Sequence, residues 1–380
     1  MIVKCIGPIS EISHSDWDAL GDSNNPFTTH AFLKALEDCG AVLPETGWQP
    51  VHLVVEKEGR IVAAVPLYIK GHSYGEYIFD WGWAEASERA GIPYYPKILS
   101  AVPFTPATGS RFLVGTASEA DQKIYREALW SGMRGIAGSI KASSVHVLFN
   151  TAAEAAQLSE QKGCLHRITH QFHWTRPDVA DFEGWLSLFR SKDRKKIRRE
   201  RLKAAAEVDS IAVLRGEELT SVHINTLWAY YRDTCARKWG EAYLKKGFFE
   251  ALKTTLAPIT RVFVAYKNDH IVATSLCFER GKHLYGRYWG CNDDYDSLHF
   301  ELCYHRPIEY CLQNGLVRFE AGAQGMHKVK RGLMPTEIHS LHWLAHPGLS
   351  QAVSDSLVHE KMRIASEIDI LSERGPFRRS

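Results

Sequence analysis

The chain has 380 residues, 45% hydrophobic and 24% charged, with a formal net charge of +2 at pH 7. That balance belongs to a folded globular protein, long enough for two cores. It excludes a disordered chain and a uniformly basic nucleic-acid binder. The eight cysteines include no CxxC pair, which argues against a zinc ribbon or a disulfide framework. The N-terminal stretch has no apolar leader core and no run approaches membrane-spanning length, so a cytoplasmic protein is expected.

Residues 2–12 read as a first strand and residues 28–39 as an early helix. Residues 51–55 and 60–69 run apolar around Lys57, Glu58 and Gly59, a hairpin signature. A polar, aromatic segment follows at 72–83. In residues 92–109, Pro93, Pro96, Pro103 and Pro106 leave no helical period and predict a long ordered loop or edge. Residues 121–140 and 152–162 predict helices, and 145–149 and 165–174 predict strands. Residues 182–208 predict one helix with a very basic middle, 211–214 a strand, and 221–238 and 242–256 two more helices. A second hairpin, 262–266 and 271–278, turns at Lys267, Asn268 and Asp269. A strand at 283–290, a helix at 298–313 stopped by Gly315, and a strand at 316–320 make a βαβ unit. Its ligand end lies at the strand C-termini. Residues 349–371 predict an amphipathic helix.

The two hairpins match in register. HLVVEKEGRIVAAVPLYIKGHSYGEY (52–77) lies on VFVAYKNDHIVATSLCFERGKHLYGRY (262–288), with Ile61 on Ile271, Gly71 on Gly281, and Tyr74-Gly75-x-Tyr77 on Tyr285-Gly286-x-Tyr288. The separation is too long for a solenoid and suits a duplicated domain. The expected fold is α/β, with two copies of one domain and mixed central sheets. The copies would be residues 1–170 and 171–380, the second carrying a basic helix at 190–205.

The densest polar cluster is the segment from Gly322 to Gly332, with Gln324, Gly325, His327, Lys328, Lys330 and Arg331 directly after Glu320. Glycines let backbone N–H groups face an anion, and the cations suit phosphate or carboxylate. No GK[ST] follows GxxxxG, so this is not a Walker loop; a solvated basic turn is the plainer alternative. Arg287, Tyr288 and Trp289 end the preceding strand, and alternation would put Arg287 and Trp289 on the face opposite Tyr288. His299 and Glu301 near the helix start are candidates for a general base, although capping and packing explain them equally well. The HExxH spacing is absent, so no metal is expected. In the first copy Tyr74, Glu76, Tyr77 and Asp80 suit a substrate bearing amines or sugar hydroxyls, with a structural tyrosine cluster as the alternative. The charge run KDRKKIRRERLK, bounded by Lys192 and Lys203, reads as a solvated helix or a phosphate-binding one.

Several of these stretches resemble a bacterial FemAB-like family of N-acyltransferases, described as peptidoglycan biosynthesis or recognition proteins: YGRYWG, LHFELCYHRPIEYCLQNGL, EAGAQGMHKVKRG, SYGEYIFDWGWAEASERAG and RSKDRKKIRRER. The resemblance covers nearly the whole chain. It implies two tandem domains of the GNAT acyltransferase fold and transfer of an acyl or aminoacyl group to an amine, such as that of a peptidoglycan precursor peptide. Acyl-CoA and aminoacyl-tRNA are the alternative donors, the tRNA meeting the basic helix; no other cofactor is implied. The acidic CNDDYDSLHF stands where acetyl-CoA enzymes of this fold carry a glycine-rich pyrophosphate loop, and this leaves the donor open. On this reading Glu301 or His299 is the base and Arg287 a catalytic cation. Tyr74, Glu76, Tyr77, Asp80, Tyr288, Trp289, Glu320, Gln324, Gly325, His327, Lys328 and Arg331 hold substrate. A non-catalytic protein binding a cell-wall ligand is the competing class.

Overall fold

A computed structural model describes residues 1–238, 240–322 and 325–378. They form two compact units, Met1–His170 with Glu337–Ser366, and Gln171–Thr336 with Glu367–Ser380. The expected second domain therefore loses residues 337–366 to the first unit. The reason is strand pairing and packing. His339 to Leu344 lie antiparallel to Ser144–Asn150, and Leu349, Val353 and Leu357 pack on Trp83 and Tyr94.

In the first unit, Ile2–Ile6, His52–Lys57 and Arg60–Val65 make a small antiparallel sheet. A mixed sheet runs through Trp48–Pro50, Tyr68–Lys70, Lys97–Ser100 and Ser144–Asn150, the last two parallel. Ser144–Asn150 is buried at every position, and the helix Glu119–Ser139 covers it with Tyr125, Leu129 and Met133. Lys97–Ser100 and the helix Trp81–Arg89 lie in segments where no element was expected. Pro96 and Pro103 sit just outside this four-residue strand, where a missing N–H costs no ladder bond.

In the second unit, Ser210–Arg215, Thr260–Lys267, His270–Arg280 and His283–Cys291 pair antiparallel in that order. Arg318–Glu320 then joins parallel to the start of His283–Cys291, as a βαβ unit requires. The long basic helix is broken into Phe182–Ser187 and Ser191–Glu207, and residues 242–256 yield only the helix Lys246–Ala251. The two hairpins share more than sequence. Each shifts register once, between Val55 and Glu56 and between Ala265 and Tyr266, which are matched positions. The likeness ends at the tyrosines: Tyr285 and Tyr288 are in a strand, whereas Gly75 and Tyr77 turn with φ of 82° and 65°.

Gly290 lets the helix Ser221–Lys238 cross the end of His283–Cys291. A Cβ at this position would fall 2.4 Å from that of Tyr230, while Thr234 donates a hydrogen bond to the Trp289 carbonyl. Gly290→Ala is expected to cost about 1–3 kcal/mol by overpacking. A lowered melting temperature checks this; an unchanged one would mean that the helix shifts without cost.

Candidate active site

A cavity of about 440 Å³ opens in the second unit. Its wall comes from the strand His283–Cys291 (Gly286, Arg287, Tyr288, Trp289), the following helix (His299, Cys303, Tyr304), Ser275, and the glycine-rich segment (Gly322, Gly325, His327, Lys328). Two local irregularities build it. Tyr288 lies opposite Leu276 and Gly286 opposite Cys277, so Arg287 occupies a β-bulge. The bulge breaks the alternation expected from sequence, and Arg287, Tyr288 and Trp289 all reach the same cavity. The second irregularity is a π-helical turn at Glu301–His305. Pro307 has no N–H to offer the Cys303 carbonyl, so the helix widens just before it. This brings Tyr304 beside His299, their ring centroids 5.5 Å apart.

The cavity is cationic: among the described residues its lining contains Arg287, Lys328 and two histidines and no carboxylate. Lys328 is only 3% exposed and its ammonium donates to the Gly322 carbonyl at 2.8 Å. Burial lowers its pKa to about 8. His327 Nε2 lies 2.9 Å from the Tyr304 hydroxyl. Burial, with Arg331 and Lys328 nearby, lowers the His327 pKa and favours the neutral ring. His299 meets the ring of Trp289 edge-on at 5.2 Å. Gly325, at φ +116°, takes a conformation open to few other residues, and a Cβ there would strike the His327 imidazole at 2.6 Å.

The structure thus brings together Arg287, Tyr288, Trp289, His299, Gly325, His327 and Lys328. It places the other expected residues elsewhere. Glu301 turns away to Arg201 and Arg306, its Oε1 3.1 and 3.2 Å from their nitrogens, and lines a separate hollow. Glu320 is buried against Arg318. Arg331 is buried against Glu200. Gln324 lies outside the described residues. In the first unit Glu76 and Asp80 are buried on Lys97, at 2.9 and 2.6 Å, while Tyr74 is exposed and Tyr77 half-buried. Ser275, Cys303 and Tyr304 are wall residues that sequence reading missed. Pro307 was the available signal for Cys303 and Tyr304, since a strict helical period cannot bring Tyr304 to His299.

A family described as peptidoglycan biosynthesis/recognition matches residues 8–379. The chain belongs to this FemAB-like family. Solved structures agree on the fold. FemX aligns at 12% identity over 90% of this chain and 98% of its own, with a TM-score of 0.55. A conserved protein of unknown function from Bacteroides thetaiotaomicron aligns at 12% over 90% and 99%, TM-score 0.53. L-PGS from Bacillus licheniformis aligns at 10% over 88% and 98%, TM-score 0.51. No curated protein matches by sequence. Among the described residues of this FemAB-like chain, no group of three or more His, Cys, Asp or Glu is placed to hold a metal, and no helix is long and apolar enough to cross a membrane.

Proposed function

We propose that this FemAB-like protein transfers an aminoacyl or acyl group from a phosphate-bearing carrier to an amine, the acceptor being the peptide of a peptidoglycan precursor. The observation that carries the reading is the cavity holding Lys328, Arg287 and two imidazoles, with no carboxylate in its lining among the described residues. The acceptor amine adds to the donor carbonyl carbon, and the new oxyanion is neutralised by the Lys328 ammonium and the Arg287 guanidinium. The amine's proton passes to His299 or to His327, whose neutral ring can accept it. When the intermediate collapses, the carrier oxygen or sulfur leaves and takes that proton back. Glu301 is engaged by two arginines and does not line the cavity, whereas both histidines do. The chemistry needs no covalent nucleophile; positioning supplies much of the rate.

Aminoacyl-tRNA is the favoured donor. A hollow of about 790 Å³ along the helix Ser191–Glu207 is lined by Lys192, Lys195, Lys196, Arg199 and Lys203, which outnumber its carboxylates, Asp193 and Glu200. The turn before Leu298, by contrast, is acidic and exposed at Asp293 and Asp294. The test is a product assay with a soluble precursor peptide and either charged tRNA or acyl-CoA. Product from charged tRNA alone supports the full reading, and product from acyl-CoA alone replaces the donor. Binding of the peptide without any product would make the protein a binder. Reversing the charges of Lys195, Lys196 and Arg199 together is expected to raise the donor KM at least tenfold and flatten its salt dependence. An unchanged KM would remove tRNA from the reading.

A further inference from the structure

Among the described residues, Glu200 is a carboxylate that touches both the cationic hollow and the frame of the transfer cavity. It lines the hollow from the helix Ser191–Glu207, where Lys196 Nζ lies 3.9 Å from its Oε1. On its other side Arg331 holds it with two hydrogen bonds, Nη2 to Oε1 at 2.6 Å and Nε to Oε2 at 3.1 Å. His305 Nε2, from the π-turn, lies 3.1 Å from the same Oε2. The Glu200 pKa is lowered because His305 and Arg331 outweigh its burial. Arg331 in turn donates from Nη1 to the His327 carbonyl at 2.9 Å and stacks its guanidinium 3.4 Å from the centre of the Phe300 ring. Phe300 lies 5.5 Å from the His299 ring and 5.9 Å from that of His327. Glu200 and Arg331 thus connect the hollow to the His327 backbone directly and to the ring of His299 through Phe300.

We propose that Glu200 is a positioning residue that ties occupancy of the cationic hollow by a phosphate chain to the geometry of the transfer cavity. The inference rests on the transfer reading for its purpose, but its mechanical core does not. A polyphosphate in the hollow draws Lys196 away from Glu200, so that Arg331, which already holds the carboxylate at 2.6 and 3.1 Å, no longer shares its charge with Lys196 and fixes the His327–Lys328 backbone more firmly. The charged and titratable groups facing that backbone are Arg331, Glu200 and His305 from behind, and Tyr304, Cys303, His299 and Arg287 across the cavity. An unladen enzyme would then hold its cavity less well ordered than a donor-bound one.

Two readouts on the full chain test this. Cys303 lines the cavity, so its alkylation by iodoacetamide, read peptide by peptide, reports the wall without requiring turnover. Tripolyphosphate is expected to change that rate at least twofold in the wild type and to leave it unchanged in Glu200→Gln. In transfer assays Glu200→Gln should lose about tenfold in kcat with little change in acceptor KM. Its acidic pH limb should move to lower pH, because beside burial, Arg331 and Lys328, which lower the His327 pKa, Glu200 is the neighbour that raises it. Glu200→Asp, which keeps the charge, should restore the limb and guards against a variant that merely fails to fold. No tripolyphosphate effect on Cys303 in the wild type, or an equal effect in Glu200→Gln, overturns the proposal. If the Cys303 effect holds while no donor gives product, the linkage stands and the transfer reading falls.

Discussion

Replacing Lys328 with methionine should reduce transfer at least a hundredfold while making the protein more stable. The first effect follows from its position. The ammonium is the buried cation of the cavity, held by the Gly322 carbonyl and opposed by no carboxylate in the lining among the described residues. Removing one such oxyanion donor costs roughly a hundredfold to a thousandfold in turnover. The second effect has the opposite sign and the same cause. Burial lowers the Lys328 pKa from 10.5 to about 8 in the folded chain, so folding disfavours the charged form. The penalty is fully present below pH 8, where both folded and unfolded chains carry the proton. It fades as pH rises towards 10.5. The shift corresponds to about 3 kcal/mol at neutral pH. Wild-type transfer should therefore decline above about pH 8 as Lys328 loses its proton, even as the wild-type protein becomes more stable. Lys328→Arg should not restore activity, since a planar fork cannot take the place of a compact ammonium in a filled site. A variant with lost activity and a lower melting temperature would instead mark Lys328 as a packing residue.

How far the site was legible in the sequence depended on whether local pattern or chain geometry placed each residue. The βαβ order, both hairpins, and the cluster around His327 and Lys328 could be read directly, because glycine and charge patterns are local signals. The failures came where regular periods break. Alternation put Tyr288 opposite Arg287, but the bulge at Arg287 turns both into one cavity. Nearness to the helix start made Glu301 a candidate base, but the π-turn ahead of Pro307 gives it to Arg201 and brings in Tyr304. The return of residues 337–366 to the first unit was not legible either, because it depends on pairing with Ser144–Asn150 nearly two hundred residues earlier. Strict-period reading works for packing elements and fails where backbone irregularity aims side chains at a ligand.

Asp80→Asn should destabilise the first unit by about 3–5 kcal/mol, whereas Glu76→Gln should cost about 1 kcal/mol or less. Both carboxylates were expected to meet substrate, and both lie within 3% exposure around Lys97. Their environments push them apart. Burial opposes charge on Asp80, but Lys97 and then His146 more than offset it and hold the carboxyl well below its usual range. It also accepts from the Tyr94 hydroxyl at 2.6 Å. Burial dominates at Glu76 and raises it to about 7. The sign of each contribution follows. Asp80, depressed on folding, adds stability above its unfolded pKa of 3.8, and this is lost as pH falls through the lower, folded value. Glu76, raised on folding, favours the native state less as pH climbs from 4.5 to 7. A neutral amide can therefore replace Glu76 but not Asp80, whose loss takes from the buried Lys97 ammonium the carboxylate that holds it at 2.6 Å. The same pair of variants tests the substrate role. If the two carboxylates hold the loop carrying Tyr74 and Tyr77, Asp80→Asn shifts the melting temperature and Glu76→Gln leaves the acceptor KM unchanged. A raised acceptor KM in Glu76→Gln with an unshifted melting temperature would return these residues to the binding site, because a purely structural carboxyl has no means of reaching the acceptor.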